Sequence, residues 1–452
     1  MRNEVKKLNE AISMSNLENF KKNFDAEKLY EAVMNATVST GILNASRNSN
    51  LKTVNLQAFS VEVESGKACN QKQSGRCWMF ASLNVMRLDV MKKLKLENME
   101  LSQAYPFFYD KLEKANHFLE CILETLEEDT SSRIVQHLLA APVEDGGQWD
   151  MFKNLVEKYG VVPQDVMPDT ASCEESREMN NYLKKKLREF ACTLRGMAKK
   201  GSGKAQLRKE KEKMMNVIYR ILVICLGKPP KTFTWEFRDK DKKFKRIANI
   251  TPQDFFKKYV GWNLDEYVSV IDAPTSDKEY GKTYTVKFLE NVRGGKYPVK
   301  YLNLPIEELK KLAIAQLKDG KIVWFGSDVG QFSDKINGLL TLDAQRADLI
   351  FDTDFPMTKE ERLDYGESMM THAMAITGVN LDSKGKPDCW KVENSWGEDR
   401  GKKGYYLMSD EWFSEFVYQI LLEKKYLTKT QQKQFDKKPI ELEPWDPFGS
   451  LA

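Results

Sequence analysis

The stretch that decides the fold is Gln71-Lys72-Gln73-Ser74-Gly75-Arg76-Cys77-Trp78-Met79-Phe80. From Cys77 to Leu94 the chain has no glycine or proline, and apolar residues recur at helical spacing, which predicts a helix. Ser74-Gly75 is a turn signal directly before it. Cys77 is therefore expected at a helix N-terminus, where unpaired backbone N–H groups favour a thiolate. A lone cysteine at such a position is more often inert, so its partners decide the interpretation.

A candidate base for the thiol lies far downstream, in Thr371-His372-Ala373. The chain has only three histidines, and His117 and His137 lie in amphipathic helical patterns that indicate structural side chains. His372 instead begins a predicted strand, 372–380, which is followed by a turn at 381–388 and a second strand at 390–396. His372 is thus the best candidate for a general base and acid.

The predicted hairpin provides an orienting residue for this base. If the chain turns near Ser383, His372 lies opposite Asn394, and opposed side chains in an antiparallel pair are about 4.5–5.5 Å apart at Cβ. Asn394 could then hydrogen-bond the imidazole, and Trp396 could shield that bond from water. An ordinary hairpin with a buried polar pair remains the alternative on this segment alone.

Two further features complete the candidate site. Gln71 precedes Cys77 by six residues, and its side-chain amide beside the Cys77 N–H would give two donors to an oxyanion.

The remaining six cysteines lack such a context and are interpreted as ordinary thiols: Cys69, Cys121, Cys173, Cys192, Cys225 and Cys389. The candidate chemistry is acyl transfer by a thiolate, and no metal or organic cofactor is expected.

Composition restricts the class of protein. The chain has 452 residues, 41% of them hydrophobic and 30% charged, which is enough for a large core and about three units of ordinary domain size. Seven cysteines without a CxxC pair are typical of a reducing compartment. The polar N-terminal pattern lacks a secretory h-region, and no run of 18 apolar residues occurs. We therefore expect a cytoplasmic protein without a membrane span.

Several segments resemble a known family of enzymes. Gln71, Cys77-Trp78, His372-Ala373 and Asn394-Ser395-Trp396-Gly397 occur in the order found in papain-like cysteine peptidases. Within that clan the chain most resembles bleomycin hydrolase and bacterial aminopeptidase C. The segments that carry this closer resemblance are 74–78, 83–88, 145–151, 234–236, 323–326, 366–368 with 371–373, and 393–399.

The resemblance implies roles for individual residues. It makes Cys77 the nucleophile, His372 the general base and acid, Asn394 the orienting amide and Gln71 an oxyanion donor. Gly146 and Gly147 match the strip whose backbone binds the substrate chain. The segment 438–452 matches an arm that lies in the active-site cleft, where the terminal carboxylate, here that of Ala452, holds the free ammonium of the substrate. Trp445, Phe448 and Leu451 are its expected apolar anchors.

The implied fold is an α+β, papain-like, two-lobed cysteine peptidase with a large, mainly helical insertion and two terminal arms. Cys77 and His372 are 295 residues apart, against about 130–150 in papain-like relatives, so the surplus is expected between the lobes. The predicted organisation is an N-terminal arm (1–60), a helical lobe with the nucleophile helix (61–150), a helical insertion with a hook-like element (151–320), a β lobe (321–430) and a C-terminal arm (431–452).

The sequence also departs from secreted papain-like enzymes. The cysteine expected three residues before the nucleophile is Ser74, and its disulfide partner before the Gly-Gly strip is Glu144. Only 76 residues precede Cys77 in this sequence, too few for the removable pro-domain of secreted enzymes. The resemblance implies another restraint, a homohexameric barrel whose active sites face an internal channel and admit only peptides or unfolded chains.

A basic stripe and two alternative functions stay open. Lys184 to Lys213 hold twelve Lys or Arg against three Glu, which could bind nucleic acid through phosphate contacts or simply form a solvated surface. The function indicated is a cytosolic thiol aminopeptidase of bleomycin hydrolase type. The alternatives are a transglutaminase-like acyltransferase, disfavoured by Gln71 and by Asn394 in place of Asp, and a nucleic-acid-binding hexameric scaffold with a secondary peptidase role.

Overall fold

The computed structural model describes residues 11–51 and 58–450. Two compact units are present: one holds the described residues up to 51 together with 343–356, and the other holds 58–342 and 357–450. The mixture of helices and strands confirms the predicted α+β class. Among the described residues, no helix combines the length and apolar character needed to cross a bilayer.

The α-helices of the described residues follow in chain order: α1 Met14–Ala26, α2 Lys28–Thr40, α3 Ile42–Ala45, α4 Cys77–Leu94, α5 Ala104–Glu124, α6 Arg133–Ala140, α7 Trp149–Tyr159, α8 Ala171–Glu174, α9 Arg177–Lys199, α10 Lys204–Leu226, α11 Pro252–Phe255, α12 Ile306–Lys318, α13 Ala347–Phe351, α14 Lys359–Asp364, α15 Asp410–Phe416 and α16 Lys429–Phe435. Short 3₁₀ turns cover Gln164–Val166, Leu264–Glu266, Lys424–Tyr426 and Pro447–Gly449, and Phe256–Val260 is a π-helical turn.

The strands of the described residues are β1 Val61–Glu62, β2 Phe233–Arg238, β3 Phe244–Ile250, β4 Tyr267–Ile271, β5 Thr283–Val286, β6 Tyr301–Asn303, β7 Val323–Ser327, β8 Ser333–Asp334, β9 Leu339–Leu340, β10 His372–Leu381, β11 Pro387–Glu393, β12 Tyr405–Ser409, β13 Val417–Glu423 and β14 Ile440–Leu442. Twelve of them form one sheet in the order β14-β5-β6-β4-β13-β7-β10-β11-β12-β9-β8, with β1 also paired to β10. Strands β2 and β3 form a separate hairpin.

Helix α4 begins at Cys77 and ends at Leu94, as the sequence predicted. It ends because Lys95 adopts a left-handed conformation with φ of 55°, which stops the helical hydrogen-bond ladder. Most of its side chains are buried, which accounts for the absence of a polar face in its sequence. The nucleophile candidate therefore stands on one of the most enclosed helices of the larger unit.

The hairpin of β10 and β11 has a different register from the predicted one. Ala375 pairs with Glu393 and Ile376 with Val392, so the pairing predicted for His372 and Asn394 is wrong by two residues. The turn is centred beyond Ser383, because Asp382 N–H donates to the Lys386 carbonyl across it. Asn394 instead follows the last residue of β11, where the chain leaves the sheet.

The segment between the Gly-Gly strip and β7 begins with the long helices α9 and α10. They are separated at 200–203, where the sequence carries Gly201-Ser202-Gly203. The hairpin of β2 and β3 follows and turns at 239–243. Helix α12 then leads to β7, with Pro305 at its N-cap and Gly320 directly after its C-cap. The division into five domains remains a prediction.

The smaller unit is a set of short helices with little core. Helices α1, α2 and α3 bury none of their residues, and apolar side chains such as Leu17, Phe20 and Val38 are exposed. Tyr30 O–H donates to Asp352 within this unit at 2.7 Å. Helices with this much exposed apolar surface gain stability only when another surface covers them.

Candidate active site

Cys77 occupies the first position of α4 and is buried. Burial raises the pKa of the Cys77 thiol to about 11, and the backbone N–H groups of Ala373, Trp78 and Cys77 oppose this rise. The effect of Ala373 places the thiol near the residue that follows His372, so two segments about 295 positions apart in the sequence meet here.

His372 and Asn394 form the predicted hydrogen bond. Nε2 of His372 lies 2.9 Å from Oδ1 of Asn394, which fixes Nε2 as the protonated nitrogen and leaves Nδ1 as the basic one. Trp396 covers this pair, with its ring centroid 4.8 Å from that of the imidazole. Burial lowers the His372 pKa to about 4, the Asn394 bond opposes that shift, and the Lys335 charge adds to it.

Gln71 is fixed between the nucleophile loop and the segment that carries Asn394. Its Nε2 donates to the Ser74 carbonyl at 2.6 Å, and its Oε1 accepts from Ser395 Oγ at 2.6 Å. Its backbone N–H also donates to the Ser395 carbonyl at 2.8 Å. These bonds set the orientation of the amide and leave its second N–H hydrogen for another acceptor.

The turn before Cys77 is held by a buried carboxylate, that of Asp145. Asp145 accepts from Gly75 N–H at 3.1 Å, from Lys111 Nζ at 2.5 Å and from Asn180 Nδ2 at 2.6 Å, and also from Ser176 Oγ. Despite burial, the Lys111 charge and these donors hold the pKa of Asp145 well below its usual range. A single ionised carboxylate therefore joins the turn before Cys77, α5 and α9.

The Gly146-Gly147 strip follows Asp145 directly and is fixed on both sides. Lys114 Nζ donates to the Gly146 carbonyl at 2.5 Å. A Cβ at position 147 would lie 2.6 Å from the ring of Trp78, the residue after Cys77. Only glycine therefore allows the strip to pack this closely on α4.

A cavity of about 650 Å³ opens between these elements. It is lined by Gly75, two residues before Cys77, by Gly146, by Thr371 beside His372, and by Gly449 and Ser450 near the C-terminus. Its remaining wall is mainly apolar and includes Phe118, Leu138, Val143, Phe288 and Met370. The volume and lining suit a small peptide rather than a folded chain.

His117 and His137 lie on helices, as their sequence pattern predicted, but both also line this cavity. Nδ1 of His117 lies 3.3 Å from Glu290, and its Nε2 lies 2.9 Å from the Phe288 carbonyl. Their position in the cavity wall was not predicted from the sequence, and the interpretation of both as structural stays a prediction. No signal in the sequence marks it, because Glu290 is far from both histidines along the chain.

The last described residues of the chain, Gly449 and Ser450, line the cavity. The Ser450 carbonyl accepts from Gln148 Nε2 at 2.7 Å, directly after the Gly-Gly strip. Phe448 is buried against Tyr301, and Trp445 lies under the guanidinium of Arg133 at 3.7 Å. Leu451 and Ala452 lie outside the described residues.

A buried ion pair connects α4 with β11, the strand that leads to Asn394. Nη2 of Arg87 on α4 is 2.8 Å from Oε1 of Glu393, and both side chains are fully buried. Asn84, also on α4, donates to the same oxygen at 2.8 Å. Nη2 of Arg87 also donates to the Lys67 carbonyl at 2.8 Å, so the guanidinium is held from two directions. The sequence gives no indication of this pair.

Comparison with known proteins identifies the family. The model of the peptidase C1-like family matches residues 11–449. Aminopeptidase C of Lactobacillus delbrueckii subsp. lactis is 47% identical over 448 residues, covering 98% of this chain and 99% of the relative. Human bleomycin hydrolase is 44% identical over 400 residues, covering 87% of this chain and 88% of the relative.

A solved structure gives the same result. The crystal structure of PepW from Lactobacillus rhamnosis HN001 (DR20) matches with a TM-score of 0.95 and 50% identity, covering 98% of this chain and 100% of that one. The similarity therefore includes both the helices around Cys77 and the strands around His372. The resemblance noted in the sequence is confirmed: the chain belongs to the peptidase C1-like family, together with the aminopeptidases C and bleomycin hydrolase.

Proposed function

We propose that Cys77, His372 and Asn394 are the nucleophile, the general base and acid, and the orienting residue of this enzyme. The chain is a thiol aminopeptidase of papain-like type, as its relatives over nearly the whole length indicate. The observation that carries the residue assignment is the 2.9 Å bond between His372 and Asn394, on the strand whose Ala373 N–H reaches the Cys77 sulfur.

The proposed reaction is acyl transfer in two steps. The Cys77 thiolate attacks the carbonyl carbon of the first residue, and the Cys77 N–H with the free Gln71 N–H stabilises the oxyanion. The bond to the leaving amine breaks, and protonated His372 gives that amine its proton. His372 then takes a proton from water, whose oxygen attacks the thioester and releases the amino acid.

Burial opposes the charges that this reaction requires. It raises the Cys77 pKa and lowers the His372 pKa, so each ionised form is disfavoured on its own. The N–H groups at the start of α4 and the Asn394 amide oppose these shifts. We propose that proton transfer from Cys77 to His372 uses this preorganised environment, because the two opposite charges form next to each other.

Substitution of the nucleophile tests the assignment. Cys77→Ser and Cys77→Ala should abolish hydrolysis of amino-acid amides, while circular dichroism and thermal unfolding show an intact fold. Cys192→Ser is the matched control, because Cys192 is exposed on α9 and should not affect hydrolysis. Iodoacetamide should inactivate the Cys192→Ser enzyme by modifying Cys77. Activity of Cys77→Ala comparable to that of the parent enzyme would refute the assignment.

We propose that the C-terminal arm makes this enzyme an exopeptidase. Gly449 and Ser450 line the cavity, which supports the expectation that the carboxylate of Ala452 holds the substrate ammonium, and Gly146 and Gly147 hold its backbone. Removal of residues 449–452 should decrease hydrolysis of a free-amine amide and increase cleavage of an N-blocked peptide. Unchanged rates for both substrates would contradict this role. Amine incorporation into glutamine substrates would instead favour the transglutaminase-like alternative.

The assembly and location of the protein remain proposals. We propose a homohexamer, because α1 to α3 expose apolar side chains that a second copy would cover. Light scattering of the purified protein tests this, and a monomer at micromolar concentration would exclude it. We also propose a cytoplasmic location on the basis of the cysteine pattern, which cell fractionation would test.

Nucleic-acid binding by the basic stripe is the less favoured proposal. Seven of the twelve cations in 184–213 already have protein partners in the structure: Lys184, Lys186, Arg188, Arg195, Arg208, Lys211 and Lys213. The lysines available to phosphates are correspondingly fewer than the sequence suggested. Charge reversal at Lys199, Lys200 and Lys204 should weaken any binding of single-stranded DNA and reduce its salt dependence. Unaltered binding would show that the stripe is only a solvated surface.

A further inference from the structure

The C-terminal arm is attached to the larger unit by a buried ion pair. Lys278 Nζ lies 2.8 Å from Asp446 Oδ2, and the two side chains are only 3% and 9% exposed. Lys278 lies in the connection between β4 and β5, within the segment that the sequence predicted as the insertion. The same ammonium also contacts Asp277 at 2.8 Å, but that carboxylate is 59% exposed and is not part of the arm.

Both carboxylate oxygens of Asp446 make polar contacts, which fixes the arm at this residue. Oδ2 binds Lys278, and Oδ1 accepts from Phe448 N–H at 2.9 Å, which caps the 3₁₀ turn Pro447–Gly449. The Lys278 backbone is itself fixed, because its carbonyl accepts from Asn303 Nδ2 at 2.8 Å. The position of the turn therefore follows the position of Lys278 directly.

A second polar contact lies farther along the arm. The Ser450 carbonyl accepts from Gln148 Nε2, and the Gln148 side chain is fully buried. Between the two contacts, Phe448 is buried against Tyr301 and Tyr418. The contacts at Asp446 and Ser450 thus fix two points of the arm, four residues apart, on either side of an apolar anchor.

We propose that the Lys278–Asp446 pair sets the register of the C-terminal arm in the cleft and thereby the preference for substrates with a free N-terminus. The proposal rests on the proposed role of the arm. A slip of one residue would move the end of the arm by about 3.3–3.6 Å, more than the few tenths of an ångström that a hydrogen bond tolerates. Lys278 and Asp446 are positioning residues in this scheme, because neither belongs to the catalytic set.

The ion pair is suited to this task because it is desolvated. An apolar anchor such as Phe448 tolerates sliding, since apolar contacts are not directional. A buried ammonium, by contrast, requires its acceptor at hydrogen-bond distance. The pair therefore adds the positional specificity that the apolar contacts of the arm lack.

The test compares the two carboxylates that share Lys278. In a Cys192→Ser background, Asp446→Ala should reduce the ratio of free-amine to N-blocked peptide hydrolysis by about tenfold or more, the effect expected for one charged hydrogen bond. The change should consist of a higher KM for the free-amine substrate and faster cleavage of the blocked one. Asp277→Ala, which removes the exposed partner of the same ammonium, should leave this ratio unchanged.

Further measurements separate positioning from a general structural effect. The rate of Cys77 alkylation should be the same in Asp446→Ala as in the parent, whereas damage to the fold would alter it and reduce both hydrolysis rates together. Lys278→Met should reproduce the shift in the ratio, and Asp446→Asn, which retains the turn cap, should give an intermediate one. These two variants also provide the test should Asp446→Ala fail to fold.

Failure of the register proposal is distinguishable from failure of the arm's proposed role. If removal of residues 449–452 shifts the ratio while Asp446→Ala and Lys278→Met do not, the ion pair does not set the register and the arm retains its role. If neither the truncation nor the substitutions shift the ratio, the role of the arm is wrong, and the register proposal is overturned with it.

Discussion

The buried pair of Arg87 and Glu393 gives the sharpest prediction about stability. Arg87→Met removes the cation and leaves the Glu393 carboxylate in a site with no exposure to solvent. Loss of one partner from such a pair costs about 3–5 kcal/mol, because the remaining charge is buried without compensation. We expect the free energy of unfolding in urea at pH 7 to decrease by that amount.

The effect should depend on pH in a defined direction. Burial raises the pKa of Glu393 above its ordinary value of 4.5, and Arg87 opposes the shift. Without Arg87 the pKa rises further, so the native state holds a proton that the unfolded state has released. Stability from a carboxyl with a raised pKa is fully present below the unfolded pKa and is lost as the pH rises through the folded one. The penalty of Arg87→Met should therefore be smaller at pH 5 than at pH 7.

Two control variants test whether the buried, unpaired charge causes the loss of stability. Arg87→Met combined with Glu393→Gln removes the orphaned charge and should recover most of the loss. Arg177→Met disrupts an exposed pair with Glu175 at 3.2 Å and should cost no more than about 1 kcal/mol. If Arg87→Met is within about 1 kcal/mol of the parent at pH 7, near the value for an exposed pair, the pair does not couple α4 to β11 as argued.

Three other variants test the site. Gly147→Ala places a Cβ 2.6 Å from the ring of Trp78 and should lower the stability measured by thermal unfolding by about 1–3 kcal/mol. The control is Gly196→Ala in α9, where the new Cβ meets open space. It should raise stability in the same assay by about 0.5–1 kcal/mol. Asn394→Ala should misorient His372 without removing it, so kcat should fall by less than the roughly 10²–10⁴-fold attributed to a general base. If kcat falls by that full factor while the protein stays folded, Asn394 has a further role. Burial lowers the His372 pKa from 6.5 to about 4, so the unfolded state takes up a proton at a higher pH than the folded state does. The free energy of unfolding should therefore decrease as the pH falls from 6.5 towards 4, by roughly 2–3 kcal/mol at pH 4.5. His372→Gln should abolish this part of the acid sensitivity, and an unchanged pH profile of stability would contradict the shift.

The sequence predicted the parts of the site that depend on local pattern. Helix α4 was predicted to its first and last residue, because an uninterrupted run of helix formers follows a glycine turn. The contact between His372 and Asn394 was also predicted, although from a register that proved wrong. The contact survives this error because Asn394 lies just past the end of β11, where its side chain is free to reach the imidazole diagonally.

Long-range polar contacts could not be predicted in the same way. Arg87 and Glu393 are 306 residues apart, and Lys278 and Asp446 belong to a loop and an arm without periodic pattern. Taken alone, each of these four charged residues is of a type that usually lies on the protein surface. Only the folded chain shows which charges become buried together, because pairing depends on the packing of whole elements rather than on neighbours in sequence.

The position of Asp145 has a consequence for how this architecture can change. Its carboxylate accepts hydrogen bonds from the turn before Cys77 and from Asn180 in α9, so α9 supplies part of the support for the turn that precedes Cys77. Excision of residues 177–226 to give a minimal two-lobed peptidase should therefore loosen the Gly75 turn and slow alkylation of Cys77, even if the lobes still fold. Helix α9 is thus not a detachable module, and substitution of Ser176 or Asn180 should affect the turn before Cys77 through this shared carboxylate.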